Sequence, residues 1–201
     1  MTLTQLHKIN AKVLGVFLVV HFANHAALLV GRDSHLAVMQ TLRRFYRLGV
    51  VEYPLFALFA LQILLGISLV LKRGKPKGAW AIAQVGSGLY IAFFLLQHLG
   101  AIVVARLNYE FETTTYFAAA VVSVTPFAWY FFPYYVLGVT SVFVHIAAAA
   151  RFKVAPAPAK MWHKALPVFG FAFALAIVTA LSWDVANVLP EANKAYLDDL
   201  L

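Results

Sequence analysis

The chain contains no cysteine and few charged residues. Without cysteine it can form no disulfide bond, no thiolate zinc site and no cysteine-held iron–sulfur cluster. Charged residues make up 12% of its 201 positions and hydrophobic residues 63%, whereas a soluble domain carries roughly 25% charged residues. A soluble chain of this composition would lack the polar surface that faces water, so we predict an integral membrane protein. The net charge of +8 sits between apolar runs, which indicates membrane topology rather than nucleic-acid binding.

Five apolar segments are long enough to cross a bilayer as helices, which takes about 20 mostly apolar residues. They cover about residues 10–31, 50–72, 79–106, 127–151 and 164–189. The alternation of apolar and polar residues that is typical of barrel strands is absent. We therefore predict an all-α chain in which residues 1–201 form a single transmembrane domain, a bundle of five helices.

The charges predict the orientation of this bundle. Basic residues without any acidic residue occur in the N-terminal lead-in and in the second and fourth connections: Lys8, Lys12, Lys72, Arg73, Lys75, Lys77, Arg151, Lys153, Lys160 and Lys164. The eight acidic residues fall on the opposite side: Asp33, Glu52, Glu110, Glu112, Asp184, Glu191, Asp198 and Asp199. Positive residues mark the cytoplasmic side, so we predict a cytoplasmic N-terminus and a C-terminus outside. The first outer connection is an exception, with four arginines: Arg32, Arg43, Arg44 and Arg47.

Four histidines lie within the apolar spans, where ionisable groups are costly and usually functional: His21, His25, His98 and His145. Imidazole is the usual axial ligand of haem iron, and two imidazoles on facing helices can hold a haem b inside a bundle. The first three lie at similar depth in the outer half of the membrane, so we expect haem ligation there by a histidine pair. A hydrogen-bonded packing role, a proton path, or a zinc chelate of His21 and His25 are the alternatives.

In the inner half of the bundle the sequence offers only one candidate haem ligand. His145 lies too deep to share that iron, and at its depth the second span offers Gln62, which is not an ordinary haem ligand. One haem is therefore expected, and a second would need another ligand. Gly86 is expected to serve helix packing and Gly88 to border a second cavity. We expect the remaining histidines to be surface residues: His7, His35 and His163.

The order of these residues resembles a known family. The features that carry the resemblance lie within about residues 5–150: a basic lead-in with Leu6-His7, His21, Val51-Glu52, Gln62, Gln84-Val85-Gly86-Ser87-Gly88, Gln97-His98 and Val142-Phe143-Val144-His145. They are similar to the cytochrome b membrane-anchor subunit of succinate dehydrogenases and fumarate reductases, of the type with one five-helix polypeptide. In that family four histidines on the first four helices ligate two haems b.

The resemblance implies a subunit that passes electrons through haem b between an iron–sulfur subunit and a membrane quinone, either menaquinone or ubiquinone. A flavoprotein subunit and the iron–sulfur subunit would dock on its cytoplasmic face, and the membrane would be a bacterial or archaeal cytoplasmic membrane. The alternatives are a cytochrome b subunit of another quinone-linked oxidoreductase and a haem-free, quinone-binding structural anchor. The spectrum and the co-purifying subunits discriminate among these.

The resemblance also assigns residues. His21 and His98 would ligate the outer haem, with His25 as an alternative ligand, while His145 would be one ligand of an inner haem. Gln62 departs from the family pattern at the other inner position. Glu52 would exchange protons with quinol, unless it is an interfacial carboxylate that pairs with Arg47 or Arg44. The outer arginines would bind haem propionates, with lipid headgroups as the alternative: Arg32, Arg43, Arg44 and Arg47.

Overall fold

The computed structural model describes residues 1–108, 113–154, 158–183, 185 and 188–199. Glu110, Glu112 and Asp184 lie outside these residues. Within the described ranges the regular structure consists of helices without any strand. The helices are α1 (Leu3–Ala26), α2 (Arg32–Tyr46), α3 (Gly49–Arg73), α4 (Ala79–Asn108), α5 (Thr115–Ser123), α6 (Phe127–Lys153), α7 (Met161–Ser182) and α8 (Glu191–Asp198), and a short 3₁₀ turn, Ala27–Leu29, follows α1.

Five of these helices are long and apolar enough to cross a membrane, which confirms the all-helical class and the number of spans. They are Leu3–Leu29, Gly49–Arg73, Ala79–Leu107, Phe127–Lys153 and Met161–Ser182. The last span was predicted too long. It ends at Ser182 because the backbone of Trp183 is extended, and the shorter helix α8 begins after Pro190.

Local sequence explains where several helices begin and end. The hydroxyl of Thr2 accepts a hydrogen bond from the backbone N–H of Gln5 at 3.2 Å, and the side chain of Gln5 accepts one from Thr2 N–H at 2.8 Å. This reciprocal pair satisfies two N–H groups that the first turn of α1 cannot use. Helix α3 stops at Gly74, whose φ of 70° lies in the left-handed region that glycine adopts without a steric cost.

The spans pack as neighbours of alternating direction. Helix α1 packs along α3, α4 packs along α6, and α6 packs along α7. Glycines permit two of these close approaches, since a Cβ on Gly138 would overlap the ring of Phe94 and a Cβ on Gly170 would overlap Phe143. The expected packing role of Gly86 is wrong, because nothing lies within 4 Å of the position that its Cβ would take.

Aromatic side chains bridge the spans that do not pack along one another. The rings of Phe22 on α1 and Phe143 on α6 stack with centroids 5.8 Å apart, and α1 meets α4 through histidine rings. The first span therefore faces α4 and α6 across a space that is bridged by large planar side chains. We call the end of the bundle that carries the N-terminus and the α3–α4 and α6–α7 connections the inner end.

Candidate functional site

The site is centred on two histidines that face each other from α1 and α4. The ring centroids of His21 and His98 are 6.2 Å apart, and their planes are inclined by 72°. The ring of Phe17, one turn before His21, stacks on His21 at 5.4 Å, and the ring of Phe94, one turn before His98, stacks on His98 at 5.3 Å. Each imidazole is thus held in place by an aromatic residue of its own helix.

The spacing of this pair fits two ligands on opposite sides of one metal ion. With metal–nitrogen bonds of about 2 Å on each side, the centroids of two coordinating imidazoles are about 6 Å apart. The observed 6.2 Å agrees with that value. The ring spacing of His21 and His98 is therefore compatible with an axial histidine pair for a haem.

His25 and His35 extend the histidine cluster toward the outer end of the bundle. His25 lies 4.6 Å from the ring of His21 and 5.3 Å from the ring of His35, centroid to centroid. Its Nδ1 atom is buried and has no hydrogen-bond partner. The structure therefore places His25 beside the His21–His98 pair, on the side of His21 that faces α2.

The prediction that His35 is a surface residue is wrong. Its side chain is 1% exposed, and it connects three helices. Nδ1 lies 2.6 Å from the hydroxyl of Thr115 on α5, and Nε2 lies 3.2 Å from the amide nitrogen of Asn24 on α1. Burial, together with the nearby charge of Arg32, lowers the pKa of His35 from 6.5 to about 4. His35 is therefore neutral at neutral pH and ties α2 to the bundle.

A zinc chelate at this cluster has no support. In the ranges that the structure describes, no group of three or more histidine, cysteine, aspartate or glutamate side chains is arranged to hold a metal ion. His21 and His25 lie one turn apart on α1, but tetrahedral zinc needs further ligands. A histidine pair on opposite sides of one iron needs only the two rings that face each other.

Glu52 lies at the outer end and pairs with a residue that sequence reasoning missed. Its carboxylate accepts a hydrogen bond from Arg106 at 2.5 Å, and the two side chains are only 20% and 23% exposed. Arg106 is a charged residue at the outer end of an apolar span, and that signal could have identified it.

The ring of Tyr46 lies 6.2 Å from that of Phe17, and burial raises the pKa of Tyr46. The charges of Glu52 and Arg106 both act on the Tyr46 hydroxyl.

The four outer arginines are not gathered at one point. Arg32 donates to the carbonyl oxygen of Trp183 at 3.2 Å, and its guanidinium lies 5.5 Å from the centroid of the Tyr116 ring. It therefore reaches toward the end of α7. Arg43 and Arg44 follow on α2 and Arg47 at its end, of which Arg43 is half-buried and Arg44 exposed.

The inner half of the bundle holds a second set of polar side chains, which we call the inner layer: His7, Asn10, Gln62, Ser87 and His145. Nδ1 of His145 lies 3.1 Å from the carbonyl oxygen of Gln84 and 3.2 Å from the hydroxyl of Ser87. Gln62 bonds to Asn10 and His7. Gly88 lies against the ring of His145, since a Cβ there would be 3.0 Å from the ring carbon Cε1.

His163 is also buried, at 0% exposure, contrary to the expectation of a surface residue. Its ring stacks on Trp162 at 3.9 Å and lies 6.3 Å from Trp80. Nδ1 accepts from the backbone N–H of Lys160 at 3.0 Å, so His163 closes the first turn of α7.

Comparison with known proteins returns no match. No protein-family model, no curated protein and no solved structure is similar to this chain.

Proposed function

We propose that the chain is the membrane-anchor and electron-transfer subunit of a succinate:quinone oxidoreductase, either a succinate dehydrogenase or a fumarate reductase. The observation that carries the proposal is the opposed pair of His21 and His98 rings, 6.2 Å apart between centroids. An imidazole pair on facing helices of a bundle is the arrangement by which proteins hold haem b. When bound, haem b supplies a one-electron carrier inside the membrane.

The chain's own residues bind and orient that group. His21 and His98 would hold the haem iron, and the rings of Phe17 and Phe94 fix the orientation of the two imidazoles by stacking. The aromatic side chains between α1, α4 and α6 exclude water from the site and lower its polarity. A dry, rigid setting of this kind is what allows a protein to tune a redox centre through its ligands and their surroundings.

The inner end supports the docking of partner subunits. Connections and helix ends there carry ten basic residues without an acidic one: Lys8, Lys12, Lys72, Arg73, Lys75, Lys77, Arg151, Lys153, Lys160 and Lys164. Charge of this sign marks the cytoplasmic face, and it offers a complementary surface to acidic patches on a soluble iron–sulfur subunit. Such a subunit, with its flavoprotein, would deliver electrons to this side or receive them from it.

The outer end offers a place for proton exchange with quinol. The Glu52 carboxylate is mostly buried and is bonded to Arg106, on the same side of the bundle as His21. A carboxylate that keeps access to the outer face can take protons from a hydroxyl group when its partner arginine releases it. The remaining outer arginines are candidates for anionic propionates or lipid headgroups.

The test is a reduced-minus-oxidised absorbance spectrum of the purified full chain, with haem quantified per chain. We expect a b-type α-band that corresponds to about one haem per chain. His98→Ala and His21→Ala should each abolish the band, whereas His145→Gln, on the inner layer, should keep it. Subunits that co-purify with the chain should include a flavoprotein and an iron–sulfur protein.

Each other outcome has a defined meaning. A spectrum without haem would overturn the electron-carrier role and favour a haem-free, quinone-binding anchor. Haem with partners other than a succinate-oxidising flavoprotein would indicate a cytochrome b of another quinone-linked oxidoreductase. Loss of the band in His25→Ala but not in His21→Ala would show that His25 rather than His21 is the haem ligand.

A further inference from the structure

The last turn of α6 carries an arginine whose charge is partly buried and unpaired. Arg151 is half-buried, and two of its nitrogens, Nε and Nη1, are buried without a hydrogen-bond partner in the described chain. It lies one turn after Ala147 and Ala148, which are completely buried, so its side chain leaves α6 on the face that packs against the neighbouring spans. Burial of an unpaired charge is costly, and a bound anion would relieve that cost.

The register of α6 and α7 fixes the depth of Arg151. A Cβ on Gly170 would overlap Phe143, so these two positions are level. Arg151 follows Phe143 by eight residues. On α7, which runs in the opposite direction, His163 precedes Gly170 by seven residues. At a rise of 1.5 Å per residue both lie about 11 to 12 Å closer to the inner end, so Arg151 and His163 are level.

The register of α4 and α6 gives the same depth independently. A Cβ on Gly138 would overlap the ring of Phe94, so positions 138 and 94 are level. Arg151 follows position 138 by thirteen residues, and the residue after Trp80 precedes position 94 by thirteen. The rings of Trp80 and His163 are in turn 6.3 Å apart between centroids. Arg151, Trp80 and His163 therefore lie at one level, on three helices that pack together.

This level has a second buried donor and no acidic residue nearby in the chain. Nδ1 of His163 accepts from the backbone N–H of Lys160, so the proton of the neutral ring is on Nε2, which is buried without a partner. The segments that form the inner end, residues 1–14, 72–81 and 145–164, contain no aspartate or glutamate. An anion that pairs with Arg151 therefore has to come from outside these segments.

The surroundings of Arg151 mark the level of lipid headgroups. Trp80 and Trp162 lie at about its depth, and Trp162 is 47% exposed. Tryptophan is enriched where the hydrocarbon of a membrane meets the headgroups. The residues around the α6–α7 connection add exposed positive charge: Lys153, Lys160 and Lys164. The abundant anion at this depth is the phosphate of a phospholipid, and basic pockets between spans bind anionic headgroups.

We infer that the inner ends of α4, α6 and α7 form a binding site for the phosphate group of an anionic phospholipid, with the guanidinium of Arg151 as its main donor. A guanidinium is the side chain whose planar set of donors best matches phosphate oxygens. Arg151 is only half-buried, so it can be reached from the headgroup region. The inference goes beyond the proposed function, because neither haem nor quinone takes part in it.

The test is native mass spectrometry of the full chain, with any subunits that co-purify, in detergent with added phosphatidylglycerol. The readout is the dissociation constant of the first bound lipid, and phosphatidylcholine and glycerol 3-phosphate are the comparison ligands. Arg151→Gln should weaken phosphatidylglycerol binding about tenfold, as expected for a lost charge-assisted hydrogen bond. Lys153→Gln removes the same charge at an exposed position two residues later. As the matched control it should change binding by less than about twofold.

A second variant keeps the test valid if Arg151→Gln does not fold. Arg151→Lys keeps the charge but has fewer donors in a different geometry, so it should weaken binding by a smaller factor. Phosphatidylglycerol should also raise the unfolding temperature of the unchanged chain in phosphatidylcholine nanodiscs more than it raises that of either Arg151 variant.

The contrary outcomes are distinct. Unchanged binding in both Arg151 variants would overturn the inference, and equal losses in Arg151→Gln and Lys153→Gln would show a general attraction to the basic surface instead. Glycerol 3-phosphate that binds as tightly as the lipid would make a soluble phosphate the ligand. Loss of a co-purifying subunit in Arg151→Gln with unchanged lipid binding would assign the arginine to a carboxylate of that subunit. None of these outcomes involves the haem spectrum, so the proposed function is tested separately.

Discussion

At the scale of single residues, polar side chains inside this bundle occur in pairs and short chains. Asn10 satisfies a backbone carbonyl and Gln62 together, and Glu52 is bonded to Arg106. In each case a group that would be costly alone in hydrocarbon has its partner on another helix. These bonds therefore fix how neighbouring spans sit against each other.

The Glu52–Arg106 pair should show this coupling directly. Arg106→Gln leaves a mostly buried carboxylate without its cation and should destabilise the chain by about 1 to 3 kcal/mol. Glu52→Gln together with Arg106→Gln should cost less than Arg106→Gln alone, because the neutral side chains carry no uncompensated charge. Thermal unfolding in nanodiscs measures the stability of Glu52→Gln, of Arg106→Gln and of the double variant. Additive effects of the two single changes would show that the pair is not coupled.

The sequence allowed parts of this site to be predicted and concealed others. His21 and His98 were found because histidine in an apolar span is rare and their depth follows from helix length. Arg106 and Asn10 were not, since their importance depends on which residues of α3 they meet. The burial of His35 also escaped prediction, because α2 lies outside the apolar spans.

At the scale of helices, α2 is the element that hydropathy could not reveal. It carries polar and charged residues with Met39 and His35 on a buried face, a pattern typical of a helix that lies along a surface. The bond from His35 to Thr115 and its contact with Asn24 attach α2 to α5 and α1. The outer arginines are placed by this attachment.

Attachment of α2 should weaken in acid. The pKa of His35 is about 4 in the packed state and 6.5 when released, so the released form binds a proton that the packed form does not. Stability from the packed state is therefore complete above pH 6.5 and is lost as the pH falls toward 4. Amide hydrogen exchange in α2, corrected for intrinsic rates, should speed up over this interval, and His35→Gln should remove most of that dependence. Equal protection of α2 at both ends of the interval would show that His35 does not govern its attachment.

At the scale of the whole molecule, two sets of polar side chains lie within one apolar bundle, one around His21 and His98 and the other in the inner layer. The outer set has the imidazoles of His21 and His98 and the mostly buried Glu52–Arg106 pair. The inner layer has hydrogen-bonded histidine and amide side chains beside the basic end. Under the proposed function, electrons would move between these layers along the bundle. This requires the basic inner end to face the compartment that contains the soluble partners.

The orientation can be tested because the chain has no cysteine, so a single introduced cysteine reports its own position. Pro76→Cys in the α3–α4 connection, Gln40→Cys in α2 and Ala192→Cys in α8 replace exposed residues without altering charge. With the chain produced in bacterial cells, a membrane-impermeant maleimide should label Gln40→Cys and Ala192→Cys on intact spheroplasts, and Pro76→Cys only after permeabilisation. If Pro76→Cys alone were labelled on intact spheroplasts, the bundle would have the opposite orientation to the one predicted. The basic end and the inner layer would then face away from the cytoplasm, and docking of a cytoplasmic iron–sulfur subunit there would be ruled out.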